Sequence, residues 1–126
     1  MLKPRRLQVA VVDDEAHVRK ALDRLMRGAG FEVQTWKSGS DFLGALPGHH
    51  LDCVILDLHM PGLSGFDVLA SLNTPETHLP AIMITGHDTP GAEERARAAG
   101  ASAYLRKPVD ATELIEAIKR AVEPAP

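Results

Sequence analysis

The chain has 126 residues, of which 44% are hydrophobic, 25% charged and 4% aromatic, with a formal net charge of -3. That length suits one domain burying about two thirds of its unfolded surface, and the near-average composition argues against a disordered chain, a fibrous repeat or a disulfide scaffold. The mildly acidic balance argues against direct nucleic acid binding by this chain alone.

The start MLKPRR is basic, but residues 7–12 (LQVAVV) are too short an apolar stretch for a signal peptide core. They have the length and β-branched content of a buried strand. Residues 15–29 carry Val18, Ala21, Leu22 and Leu25 on one helical face, and Gly30 suits the left-handed residue that ends a helix. A second strand is predicted at residues 32–36 (EVQTW), and a second helix at 39–46, opened by Ser38 with Asp41 at capping-box spacing. The third pair is a strand at 52–56 (DCVIL) and a helix at 65–72, opened by Ser64 with Asp67. Cys53, the only cysteine, lies inside an apolar run and reads as a small core residue in a reducing, cytoplasmic compartment.

Residues 81–84 (AIMI) form the fourth predicted strand, followed by a helix at 90–99 with the Thr89 hydroxyl as cap and Pro90 in the first helical position. That helix buries mainly alanines, so it should be looser than the last helix, and Glu93 with Arg97 adds a favourable i,i+4 pair. Gly100 ends it. A fifth strand at 102–105 (SAYL) leads to a helix at 111–122, opened by Asp110 with Glu113 and apolar along Leu114, Ile115, Ile118 and Val122. No segment approaches the ~20 apolar residues of a membrane span.

Strict strand–helix alternation with short connections predicts a (βα)5 doubly wound α/β domain, its parallel sheet covered on both faces. One domain spans residues 1–126, with its core at about 7–122 and 123–126 as a tail or the start of a linker. In such sheets ligands bind at the carboxyl ends of the strands, near the point where strand order reverses. There the sequence collects Asp13-Asp14, Asp57, Thr85 and Lys107. A single aspartate after a strand is most often a helix cap. Three crowded carboxylates repel one another unless a cation sits among them, and oxygen donors on loops suit Mg2+. A carboxylate beside Mg2+, an ammonium and a hydroxyl can accept a phosphoryl group as a nucleophile.

The series VVDDE (11–15), VILDLHMPGLSG (54–65), MITGH (83–87) and YLRKP (104–108) resembles the receiver domain of two-component response regulators, over nearly the whole chain. The TGH run is similar to receivers of the nitrogen-fixation and LuxR-type regulator group. The resemblance implies a flavodoxin-like fold with strand order 2-1-3-4-5 and a Mg2+ cofactor. It makes Asp57 the phosphoacceptor and Asp13 and Asp14 the metal-binding pair, with Asp14 the direct ligand and Asp13 acting largely through water. The backbone carbonyl of His59 completes the metal set. Thr85 becomes the switch hydroxyl, Lys107 the partner of the phosphoryl group, Tyr104 the switch aromatic, and Lys107-Pro108 a cis bond.

The implied partners are a sensor histidine kinase or histidine phosphotransfer protein, an effector on the face made by the fourth helix, fifth strand and last helix, and a second copy in a phosphorylation-dependent homodimer. No membrane partner is implied. The activity expected is self-phosphorylation and self-dephosphorylation only. Val109 stands where the family often has phenylalanine. His59 and His87 flank the mouth of the site, where His59 is expected to hold a water through a free lone pair and His87 to shield by bulk. His49 and His50 receive no role. No effector is recognisable, which leaves both a stand-alone receiver and the amino-terminal module of a longer DNA-binding regulator. A flavodoxin-like cofactor carrier would need a Ser/Thr/Gly-rich loop where Asp13-Asp14-Glu15 stands. An aspartyl phosphatase of the haloacid-dehalogenase kind would carry Asp-x-Asp after its first strand.

Overall fold

A computed structural model describes residues 5–123. The elements are β1 Gln8–Val12, α1 Ala16–Gly28, β2 Glu32–Trp36, α2 Gly39–Ala45, a 3-10 turn at Leu46–Gly48, β3 Cys53–Asp57, α3 Gly65–Leu72, β4 Asn73–Thr74, β5 Thr77–His78, β6 Ala81–Thr85, α4 Ala92–Ala98, β7 Ala103–Arg106 and α5 Ala111–Ala121. Five strands form one parallel sheet in the order β2-β1-β3-β6-β7. This is the expected order, because β4 and β5 form a separate antiparallel hairpin.

Side chains of successive strand residues point to opposite faces, so the continuous apolar strands feed two cores. Val9, Val11, Cys53, Ile55, Ile82 and Ile84 pack with Leu22 and Met26 of α1 and Leu114 and Ile118 of α5. On the other face Ala10, Val12, Val54, Leu56 and Met83 pack with Phe42 of α2, Val68, Leu69 and Leu72 of α3, and Ala92 and Ala96 of α4. Strand order reverses between β1 and β3, which puts the binding crevice at the ends of those two strands.

The local signals act largely as the sequence predicts. Ser38 accepts from the Asp41 N–H, Ser64 and Asp67 form a reciprocal capping box, and Asp110 accepts from the Glu113 N–H. Gly30 and Gly100 take φ of 96° and 108°, with Phe31 N–H bonding Met26 O and Ala101 N–H bonding Ala96 O in paired Schellman closures.

Three expectations are corrected. Thr89 does not cap α4 through its hydroxyl, and Pro90 is not the first helical residue. Instead Thr89 O accepts from Ala92 N–H across a turn whose third residue, Gly91, has φ 83°, and the helix begins only at Ala92. Proline then glycine at the centre of a four-residue turn matches type II geometry, and it competes successfully with the helix start. Residues 73–78, which carry no strand signal of their own, fold into the β4–β5 hairpin around Pro75 and Glu76. Asp52 lies before β3 and accepts from the Gln8 N–H and from both Arg5 guanidinium nitrogens, stapling the starts of β1 and β3. The predicted tail beyond Glu123 and the start before Arg5 lie outside the described residues.

Candidate functional site

Asp57 is the last residue of β3 and is 3% exposed; Asp13 follows β1 directly and is fully buried. Main-chain bonds fix Asp13: its N–H donates to Trp36 O at 3.2 Å, and its carbonyl accepts from the Arg19 guanidinium at 2.8 Å. One carboxylate oxygen, Oδ1, accepts from the Glu15 N–H at 2.9 Å. Asp57 is fixed from behind by α3. A β-carbon at Gly65 would lie 2.6 Å from the Asp57 carbonyl oxygen and 2.8 Å from Leu58 Cα, so only glycine lets the helix start this close to the strand end.

One carboxylate oxygen from each of Asp13, Asp14 and Asp57 lies within 4.8 Å of the others. Lys107 leans in from the loop after β7, its Nζ 2.9 Å from Asp13 Oδ2, 3.2 Å from Glu15 Oε1 and 3.4 Å from Asp57 Oδ1. Its bond to Pro108 is cis, and its N–H donates to Thr85 O at 2.7 Å. Burial works against the Lys107 charge, yet the carboxylates of Asp13, Asp57 and Glu15 raise its pKa above the usual lysine value. Asp57 moves the other way from an ordinary carboxyl: burial first, then the Asp13 charge, pushes it up to about 7 despite Lys107.

The residues fit a hard divalent cation. Asp13 Oδ2 is buried and makes no well-directed hydrogen bond, Lys107 meeting it off the bonding direction. A buried oxygen left in that state costs free energy that a cation among the three carboxylates recovers. All the donors are oxygens, the set Mg2+ takes.

Thr85 ends β6 and is buried, and its Oγ1 accepts from the His87 N–H at 3.0 Å. Tyr104 is 6% exposed, its ring packed in the core with Met83, Ala92 and Ala96. Its interior position is therefore filled while the Thr85 hydroxyl still faces its own loop. Both imidazoles at the rim are exposed, and their rings meet edge to face 6.0 Å apart. His59 Nε2 lies 3.2 Å from His87 O. A carbonyl only accepts, so Nε2 is the donor here and bridges the β3–α3 loop to the β6–α4 loop, and the water-holding expected of His59 falls to its other ring nitrogen, Nδ1.

Two participants escape the sequence reading. Glu15, next to the acidic pair, is the exposed acceptor for the Lys107 ammonium, whose other carboxylate neighbours, Asp13 and Asp57, are buried. Asp88 accepts from the Tyr104 hydroxyl at 2.8 Å and from Arg106 Nε at 2.7 Å.

The family profile described as the response regulator receiver domain matches residues 9–119. This chain belongs to the response regulator receiver family. As a receiver it is 39% identical over 121 residues to the transcriptional regulatory protein FixJ of Bradyrhizobium diazoefficiens, covering 93% of this chain and 58% of FixJ. It is 35% identical over 114 residues to the DNA-binding transcriptional regulator NtrC of Salmonella typhimurium, covering 90% of this chain and 24% of that protein. The receiver thus spans about half the length of FixJ and a quarter of NtrC. The crystal structure of FixJ-N superposes with a TM-score of 0.87 at 36% identity, covering 98% of each chain. Fold and family together fit a phosphoacceptor module of a two-component response regulator. Among the described residues no helix is long and apolar enough to cross a membrane.

Proposed function

We propose that this receiver takes a phosphoryl group from a phosphohistidine of a sensor kinase or histidine phosphotransfer protein onto Asp57, in the cytoplasm. It then removes that group by hydrolysis and turns over no other substrate. The observation that carries this reading is the buried Asp57 carboxylate with Lys107 Nζ 3.4 Å from its Oδ1 and two further aspartates beside it.

In the transfer step an Asp57 carboxylate oxygen forms the new P–O bond while the P–N bond breaks, its electron pair leaving with the imidazole nitrogen. Asp13, Asp14, Asp57 and the His59 carbonyl would hold Mg2+, which when bound neutralises charge on the phosphoryl oxygens. Lys107 supplies a fixed ammonium for the same oxygens, preorganised by Asp13 and Glu15 so that little rearrangement is needed. The Thr85 hydroxyl gives up the His87 N–H and turns to the phosphoryl group. Beside Lys107 an apolar groove of about 490 Å3, lined by Val18, Ala21, Leu22 and Leu25 of α1 with Pro108 and Val109, offers a donor protein a surface next to the acceptor. The readout is the face of α4, β7 and α5, toward an effector or a second copy of the domain.

Incubation with acetyl phosphate and Mg2+, followed by mass spectrometry, tests the assignment. One phosphoryl group on Asp57 is expected, absent in Asp57→Asn and absent in wild type treated with a chelator. An adduct on Asp13 or Asp14, or labelling that survives Asp57→Asn, overturns it.

A further inference from the structure

Asp88 stands three residues past Thr85, in the loop from β6 to α4, and its two carboxylate oxygens bind two different side chains of β7. Tyr104 donates its hydroxyl to Oδ1 at 2.8 Å, and Arg106 donates Nε to Oδ2 at 2.7 Å. Residues two apart on a strand project to the same side, so Tyr104 and Arg106 reach one carboxylate together. Bonds to an ionised carboxylate are shorter and roughly twice as strong as neutral ones. Residues 86–91 of the loop are all exposed, and α4 begins without a side-chain cap. With so little packing along it, the loop depends on its polar ties: His87 O to His59, and Asp88 to β7. The surroundings support a charged Asp88. Arg106 first and Tyr104 second hold its carboxyl below the usual range. Burial first and Asp88 second push the Tyr104 hydroxyl up to about 12, with Arg106 opposing and Glu93 of α4 adding a little.

We propose that Asp88 is the positioning residue that couples the loop carrying Thr85 and His87 to Tyr104 and β7. Movement of Thr85 toward a phosphoryl group on Asp57 draws the loop with it, and the carboxylate carries that displacement to the Tyr104 hydroxyl and the Arg106 guanidinium. The ring need not enter an empty space to signal, since it is already interior; its hydroxyl and its strand are what move. The proposal rests on the phosphoacceptor reading of Asp57 and adds the link between acceptor and output face.

The test compares wild type, Asp88→Ala and Tyr104→Phe, the last of which keeps the buried ring. Amide exchange over Ala103–Arg106 and Ala111–Ala121 is followed with and without beryllofluoride and Mg2+. The beryllofluoride response is expected to fall about threefold or more in each variant, a usual size for loss of a coupling residue. The double variant should lose no more than Asp88→Ala alone, because Tyr104→Phe removes one of the two bonds that Asp88→Ala removes. Tyr104 is the only tyrosine, so tyrosinate absorbance reports it alone, and its titration midpoint should fall in Asp88→Ala. Acetyl phosphate labelling of Asp57 is expected to persist in Asp88→Ala. A labelled Asp88→Ala protein with a wild-type exchange response, or with an unchanged tyrosine midpoint, overturns the proposal and leaves the acceptor reading standing. Wild type that takes no label overturns the acceptor reading instead.

Discussion

Beneath Asp13 and Asp57 the strand residues 9–12 and 53–56 are each at most 1% exposed, walled by Leu22, Met26, Leu114 and Ile118 on one face of the sheet and by Phe42, Val68 and Leu69 on the other. Across the site β7 runs along the sheet edge with only Tyr104 buried, and α4 buries just Ala92 and Ala96. A buried leucine or isoleucine is worth about 1.5–3 kcal/mol, against roughly 0.8 for one methyl-sized group. The acceptor half is therefore held by packing in all directions. In the responding half α4 and β7 are held by alanine methyls, the Tyr104 ring and a few side-chain bonds: Asp88 to Tyr104 and Arg106, His59 to His87 O, and Arg95 over the Phe66 ring. The third element of that face, α5, shares Leu114 and Ile118 with the acceptor core. Chemistry that needs oxygens fixed to fractions of an ångström sits on the first half. A switch, which needs a small free-energy gap between two arrangements, sits on the second.

The contrast can be broken most forcefully from the core. Leu114→Ala removes a fully buried side chain and should cost about 2–5 kcal/mol in urea unfolding. Ala96→Gly in α4 should cost about 1–2 kcal/mol, one helix propensity difference plus one methyl. Equal losses would mean that α4 is packed as firmly as α5.

A pH effect sharpens the acceptor side. Asp57 in the folded, metal-free domain is raised to about 7, first by burial and then by Asp13, whereas an unfolded aspartate titrates near ~4. Between those values the folded state keeps a proton that the unfolded state has released. Stability contributed by this group is thus complete below about pH 4 and is lost as pH rises through about 7. In chelator, wild type should lose stability relative to Asp57→Asn over that window. Parallel profiles would show that the crowded carboxylates carry no such strain.

The smallest effect concerns α4 alone. The Arg95 guanidinium carbon lies 3.9 Å from the Phe66 ring centroid, joining α4 to α3, and such exposed pairs contribute about 0.5–1 kcal/mol. Arg95→Ala should speed amide exchange in Ala92–Ala98 without changing exchange in β1 or β3. Equal acceleration in the central strands would dissolve the distinction between the halves.

The same contrast explains what the sequence reveals. The three central strands β1, β3 and β6 announce themselves as apolar runs, and Asp13, Asp57 and Thr85 are legible because each stands at the end of such a run. The caps at Ser38, Ser64 and Asp110 are legible because the bond closes within three residues. Asp88 is not, since its partners are 16 and 18 residues away and only the pairing of β6 with β7 brings them near. Glu15 and Lys107 are separated by 92 residues. At α4, Thr89-Pro90-Gly91 satisfies both a helix start and a type II turn, and the left-handed Gly91 decides for the turn.

The most direct test of the account is the map of backbone amide shifts by nuclear magnetic resonance when beryllofluoride and Mg2+ are added to the intact domain. Beyond the residues touching Asp57, shifts should concentrate in 85–106 and along α5, with the interiors of β1 and β3 unmoved, and Asp57→Asn should show none of this. Shifts confined to residues 13–15 and 57–59, or spread evenly through the central strands, would contradict it.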